Sequence, residues 1–314
     1  MKIILITPSV SGSRTGNRNT ACRWAGFLRQ FGHRVDIQVE WDGAAADLML
    51  ALHARRSHEA IRRFAETFPG RPLLLALTGT DLYRDIRHDA AAQQSMQLAT
   101  RMIVLQERGL LELAPELRAK TRVIYQSAPP ARPHPKLKTH FQACVIGHLR
   151  AEKDPFRCAY ALRYLPSGSR IRVIHLGGAL SPTMAEEANA LMQEDKRYHW
   201  LGNKPHWQAT KKLACSHVMV ISSRMEGGAN VICEALAAGV PVIASDIAGN
   251  IGMLGADYVG YYPCGDEQAL AKLLWRAESD AVFYAQLLAQ CAARRSLFTP
   301  ERERAGLESL LAEL

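Results

Sequence analysis

A chain of 314 residues with 48% hydrophobic and 22% charged residues has the make-up of a globular protein of about two domains. No apolar run approaches the ~18 residues of a membrane span, and seven cysteines without C-x-x-C spacing argue against a disulfide framework and against a zinc site. The net charge of +9 lies wholly in the first part of the chain: residues 1–139 carry 21 Lys/Arg against 12 Asp/Glu, while residues 140–314 carry 18 of each. This asymmetry admits an anionic partner for the first half, or merely solvated Arg-rich helix faces such as RRSHEAIRRF (55–64). With no aromatic-interleaved basic run and no nucleic-acid motif, a nucleic-acid partner is not expected.

Apolar runs and helical stretches alternate almost throughout, the pattern of an α/β protein with parallel sheets. MKIILITP reads as a first strand, too short for a signal peptide, so a cytoplasmic location is expected. RVDIQVE, LMLAL, PLLLALTG, RMIVL and RVIYQ follow as strands. Between the first two, TACRWAGFLRQFG (20–32) reads as a helix ending at Gly32. The proline-rich stretch SAPPARPHPKLKTH (127–140) is the best linker. A second strand series, FQACVIGHL, RIRVIHLGG, YHWLG, HVMVISS and VPVIAS, follows, and TPERERAGLESLLAEL starts a last helix with Thr-Pro. The organisation expected is a first Rossmann-like domain over 1–130, a hinge over 131–140, a second such domain over 141–296, and a C-terminal helix (297–314) returning toward the first domain.

The most informative stretch is SRMEGGANVICEALAAGVPVIAS (223–245), a glycine turn that opens a helix between two strands. Gly227, Gly228 and Ala229 leave the backbone open to close approach, and a helix beginning near Asn230 offers unpaired N–H groups that suit a phosphate. Asn230 and Glu234 share a helix face, while Glu226 precedes it. Carboxylates accept hydrogen bonds from sugar hydroxyls, so a diphosphate at the helix tip with a sugar on each side accounts for both acids. Cys233 falls inside the apolar helix as a packing residue; Cys22 lies near a polar loop.

This motif resembles the E-x7-E signature of nucleotide-sugar glycosyltransferases of the GT-B fold, in which two Rossmann-like domains with parallel sheets face a central cleft. The resemblance implies that Glu226 binds the donor sugar, Glu234 the ribose, and the amides of Gly227 to Asn230 the diphosphate. IGHLRAEKDPF (146–156) is similar to the G-R-L-x-x-x-K turn of that family, which puts Lys153 against the donor diphosphate as a metal-free stabiliser of the leaving UDP. The chain departs from the pattern at His148, where Arg is usual; Arg150 is the candidate replacement. Gly178 in the Gly-Gly turn after a strand and Asn203 in LGNKP (201–205) match its phosphate-side and base-binding loops. Lys153 and Glu226 are thus the catalytic candidates, with no cofactor and no metal expected.

In the first half, PSVSGSRTGNRNT (8–20) reads as a polar loop after the first strand, with Arg14, Asn17 and Arg18 suited to a tetrahedral oxyanion. ALHARRS (51–57) and TGTDLYRD (78–85) end strands and bring His53, Thr80 and Asp81 forward. His53 reads as a base, an anion contact or a packed histidine, and Asp81 either as a ligand contact or as the cap of the following turn. Together these segments resemble the bacterial selenosugar synthases of selenoneine biosynthesis. The resemblance implies transfer of a sugar, N-acetylglucosamine or glucose, from a UDP-sugar to selenophosphate with formation of a carbon–selenium bond. A glycosyltransferase with a hydroxyl acceptor is the main alternative. A non-catalytic nucleotide-sugar binder and a basic RNA-binding α/β protein are the others. Sugar, anomeric outcome and oligomeric state stay open.

Overall fold

Among the residues described by the computed structural model, 1–13, 15–131 and 134–314, twelve strands form two six-stranded sheets, all pairs parallel. The first holds β1 (Lys2–Ile6), β2 (Arg34–Gln38), β3 (Leu48–Leu52), β4 (Leu73–Leu77), β5 (Arg101–Val104) and β6 (Thr121–Val123) in the order β2-β1-β3-β4-β5-β6. The second holds β7 (Phe141–Ile146), β8 (Ile171–Leu176), β9 (Tyr198–Trp200), β10 (Val218–Ile221), β11 (Val242–Ser245) and β12 (Tyr261–Tyr262) in the order β12-β11-β10-β7-β8-β9. Every strand expected from the sequence is present. Strand β12 is additional, because two tyrosines carry no strand-length pattern.

The chain divides into two compact units. Unit 1 comprises residues 1–127, 226–230 and 300–314; unit 2 comprises 128–225 and 231–299. The first segment of unit 1 therefore ends at Ser127, the first residue of the proline-rich stretch; the unit regains the last helix, Pro300–Ala312, and includes the glycine turn of the 223–245 motif. Arg14, Arg132 and Pro133 lie outside the described residues.

The sheet of unit 1 is buried on both faces, which is why its strands are continuous apolar runs rather than alternating ones. The period-2 geometry sends Ile4, Ile6, Met49, Leu75 and Val104 to one face, against Ile61 and Phe64 of the helix His58–Thr67. Ile3, Leu5, Leu50, Leu74 and Ile103 go to the other, against Trp24 and Leu28 of the helix Gly16–Gln30 and Leu307 and Leu310 of the last helix. Gly32, at φ +82°, ends the first of these helices, its amide donating to the Arg29 carbonyl at 3.0 Å.

That helix begins at Gly16, four residues earlier than its hydrophobic pattern indicates. Thr15 is its N-cap and accepts the Arg18 amide. The turn Gly16–Asn19 is polar, so hydrophobic periodicity gives no sign of it. Asn17 and Arg18 consequently sit in the first helical turn and not in a loop, both half-buried.

The last helix is fastened by a buried carboxylate. Glu303, 1% exposed, accepts from Trp24 Nε1 at 2.6 Å, from Arg23 Nε at 2.7 Å and Nη2 at 3.0 Å, and from the Ser127 hydroxyl. Removing it leaves a half-buried guanidinium and a buried indole N–H without their acceptor. Glu303→Ala is expected to lose about 3–5 kcal/mol of unfolding free energy in urea titrations; a change under about 0.5 kcal/mol contradicts this assignment.

In unit 2 one buried titratable group is His175 of β8, fully inaccessible. Its Nε2 donates to the Gly147 carbonyl (3.2 Å) and its Nδ1 accepts from the Tyr198 hydroxyl (2.9 Å). Burial pushes its pKa down to about 4. An unfolded histidine, near 6.5, takes its proton first as pH falls, so stability holds above about pH 6.5 and is lost progressively down to about pH 4, by roughly 3 kcal/mol from this group. Urea unfolding measured across that range shows this loss in the wild type and a flatter profile in His175→Gln; parallel profiles contradict it.

Candidate functional site

A doubly wound parallel sheet leaves its strand ends open where the strand order reverses, because successive connections leave to opposite faces there. In unit 2 the order turns about β7, which lies between β10 and β8. A small open pocket lies at that point. It is lined by Gly147 and His148 after β7, Ser222 and Ser223 after β10, and Lys153 and Pro155 of the turn between β7 and β8.

Lys153 closes a short 3-10 turn, Ala151–Lys153, and the next residue, Asp154, adopts the left-handed conformation at φ +43°. For a residue other than glycine this costs energy and persists only where neighbours enforce it. Here they do. Ser222 Oγ donates to the Asp154 carbonyl at 2.8 Å, with the Lys153 carbonyl 3.2 Å away, and the Arg224 amide donates to Glu152 at 2.9 Å. The Asp154 carboxylate accepts from Arg157 Nε at 2.9 Å. The Lys153 turn is thus pinned to the end of β10. Neither Ser222 nor Asp154 stands out in the sequence: a serine after a strand and an aspartate after a lysine carry no pattern of their own.

His148 does not stand free where a guanidinium was expected. Its Nδ1 accepts the Gly178 amide at 3.1 Å, which joins the turn after β7 to the turn after β8. That approach requires Gly177, since a Cβ there would meet the Gly147 carbonyl oxygen at 1.8 Å. Asn203 completes the group, its Cβ 3.4 Å from where a Cβ on Gly178 would lie. The structure therefore brings His148, Gly178 and Asn203 together, next to the Lys153 pocket. Arg150 is exposed at the cap of the Lys153 turn. Glu234, on the helix Asn230–Ala237, has His206 Nδ1 at 4.0 Å from its carboxylate.

The glycine turn of the motif is built into unit 1. A Cβ on Gly227 would strike the Thr78 carbonyl oxygen at 2.1 Å, and one on Gly228 the Leu105 Cβ at 2.6 Å. The two glycines are thus demanded by this chain's own strand ends, a packing reason that the sequence does not reveal. Glu226 is 8% exposed and Ala229 3%. Asn230, half-buried, lies close to Gly16, and among the described residues its buried side-chain oxygen has no hydrogen-bond partner.

The order in unit 1 turns about β1, between β2 and β3. Thr7 and the segment leading to Asn17 and Arg18 follow β1; His53 follows β3. Asp81 is fully buried. One carboxylate oxygen accepts the amides of Thr78 and Gly79, each at 2.9 Å, and the other the amide of Ala54 at 3.0 Å. It does not cap the turn that follows; its acceptors are filled by amides after β3 and β4, and it ties those two strand ends together. His53 is 2% exposed and takes the left-handed conformation at φ +77°. Its Nδ1 accepts the Arg56 amide at 3.3 Å, so in the neutral ring the proton sits on Nε2, 3.0 Å from Thr80 Oγ1. Burial holds the imidazole below its ordinary pKa range against the pull of Asp81 and Asp85, each 3.9 Å away. With Nδ1 occupied and Nε2 protonated, His53 has no lone pair to offer as a general base. Cys233 is buried and Cys22 exposed. Among the described residues no group of three His, Cys, Asp or Glu side chains is placed to hold a metal ion, and no helix is long and apolar enough to cross a membrane.

Solved structures share this architecture. Anabaena Alr3699/HepE in complex with UDP and glucose matches over all of both chains with a TM-score of 0.80 at 17% identity. Sucrose-phosphate synthase (tll1590) from Thermosynechococcus elongatus matches over 99% of this chain and 98% of its own, with a TM-score of 0.80 at 16% identity. The fold is the GT-B fold. No curated protein sequence matches the chain significantly. The family model for glycosyl transferases group 1, however, matches residues 131–294, more than half of the sequence. The chain belongs to the glycosyl transferases group 1 family.

Proposed function

We propose that the protein is a selenosugar synthase: it transfers a sugar, N-acetylglucosamine or glucose, from a UDP-sugar to selenophosphate and releases UDP. The observation that carries the donor half is Lys153 on a pinned turn in the switch-point pocket of a group 1 glycosyltransferase. One solved neighbour of the fold, Alr3699/HepE, holds UDP with glucose in one structure and UDP-glucose in another. In this reading Lys153 neutralises the diphosphate as the bond from the anomeric carbon to its oxygen breaks. Glu226 takes the donor sugar, Glu234 the ribose, the amides of Gly227 to Asn230 the diphosphate, and Arg150, Gly178 and Asn203 flank it.

The acceptor half rests on the first-half motifs and on charge. All of the +9 excess belongs to residues 1–139, and selenophosphate is a small multiply charged anion. Its selenium lone pair forms the C–Se bond while the electron pair of the broken C–O bond leaves with UDP. Selenium is nucleophilic without deprotonation, in keeping with a His53 that cannot serve as a base. Arg14, Asn17, Arg18, His53, Thr80 and Asp81 are the residues assigned to that side by sequence. Of these, Asp81 acts through the fold, by holding the strand ends in place.

UDP release from UDP-N-acetylglucosamine or UDP-glucose is expected to depend on selenophosphate. Equal release without it, or release stimulated only by a hydroxyl compound, favours the hydroxyl-acceptor reading and overturns this one. If the Ser222 clamp sets the place of Lys153, Ser222→Ala lowers kcat roughly 5- to 30-fold with the UDP-sugar KM little changed. An unchanged kcat shows that the clamp has no part in placing Lys153.

A further inference from the structure

One hydroxyl assigned to the acceptor side, that of Thr80, has a hydrogen-bond direction that the structure fixes. Thr80 opens the turn Asp81–Asp85, yet its side chain makes no capping hydrogen bond to that turn. Among the described residues the only hydrogen bond of its hydroxyl is the one to His53. The direction of that bond is fixed by His53's other nitrogen. Nδ1 faces the Arg56 N–H and must accept, so Nε2 carries the proton and Thr80 Oγ1 receives it. Asp81 and Asp85 do not compete for that proton. Asp81 is filled by three amides, and Asp85 by Arg55 Nε and Arg84 Nε, each at 2.9 Å.

A hydroxyl that already accepts from a fixed donor has its own O–H directed elsewhere. Thr80 is half-buried, follows β4, and stands beside His53 at the end of β3, the neighbour of β1 about which the strand order reverses. From this we infer that Thr80 donates its hydroxyl hydrogen to an oxyanion oxygen of the acceptor substrate, and that His53 is the positioning residue that makes Thr80 a donor. The choice of an oxyanion rests on the acceptor reading above and on the basic excess of this half of the chain. The left-handed backbone at His53 is consistent with this role: the ring lies between the Arg56 amide and Thr80.

The test compares full-length wild type with Thr80→Ser, Thr80→Val, His53→Ala and His53→Gln, whose amide nitrogen can replace Nε2. Two quantities are read: the KM for selenophosphate against that for the UDP-sugar, and the Kd of inorganic phosphate by calorimetry. Thr80→Val is expected to raise the selenophosphate KM and the phosphate Kd about tenfold, with the UDP-sugar KM unchanged. Thr80→Ser stays within about twofold, His53→Ala follows Thr80→Val, and His53→Gln recovers part of the loss. Phosphate affinity that is absent in the wild type, or equal in wild type and Thr80→Val, overturns the assignment. If the wild type binds phosphate in a Thr80-dependent way but does not turn over selenophosphate, the proposed function fails and the Thr80 assignment stands. If Thr80→Val turns over selenophosphate with the wild-type KM, the Thr80 assignment fails and the proposed function stands.

Discussion

Parallel sheets bury both faces and keep their polar edges for function. With every strand pointing one way, the carbonyl ends gather on one side, and the reversal of strand order opens one gap in the cover of helices. In unit 2 this constraint fixes the pocket at β7 and β10 before any side chain is considered. Everything then depends on how firmly the turn carrying Lys153 is held there. The chain holds it with a strained Asp154, a serine hydroxyl from the opposite lip and a carboxylate–guanidinium pair, so that an otherwise flexible lysine starts from a fixed point. Pre-set charge of this kind needs no reorganisation when a leaving group departs.

Unit 1 solves a similar problem with buried polar groups. Asp81 joins two strand ends, Glu303 fastens the last helix, and His53 is kept neutral between an amide and a hydroxyl. All three are titratable residues engaged in structure. Buried, satisfied networks of this sort specify one arrangement of the loops they join. They also remove the residues most readily suspected of acid–base chemistry.

The apolar runs KIILI, LMLAL and LLLAL make the strands legible, because a strand covered on both faces must be apolar throughout. The E-x7-E motif and Lys153 are legible for a different reason: their spacing matches the pattern of a known family. What sequence hides is everything set by tertiary contact. The polar first turn at Gly16–Asn19 has no periodicity. The Gly227–Gly228 pair reads as an invitation to a ligand, whereas Thr78 and Leu105 already demand it. The role of Ser222 depends on a turn about seventy positions earlier in the chain. Prolines mark the linker, but the boundary at Ser127 is drawn by the hydrogen bond of that serine to Glu303 and by its packing with unit 1.

The central claim is that the diphosphate of a nucleotide sugar settles at the β7/β10 switch point beside Lys153. A crystal structure of the protein soaked with UDP tests it most directly. The expected result is phosphate density within hydrogen-bond reach of Lys153 Nζ, in the pocket between the Gly147–His148 and Ser222–Ser223 turns. UDP bound elsewhere, with that pocket holding only solvent, would contradict it.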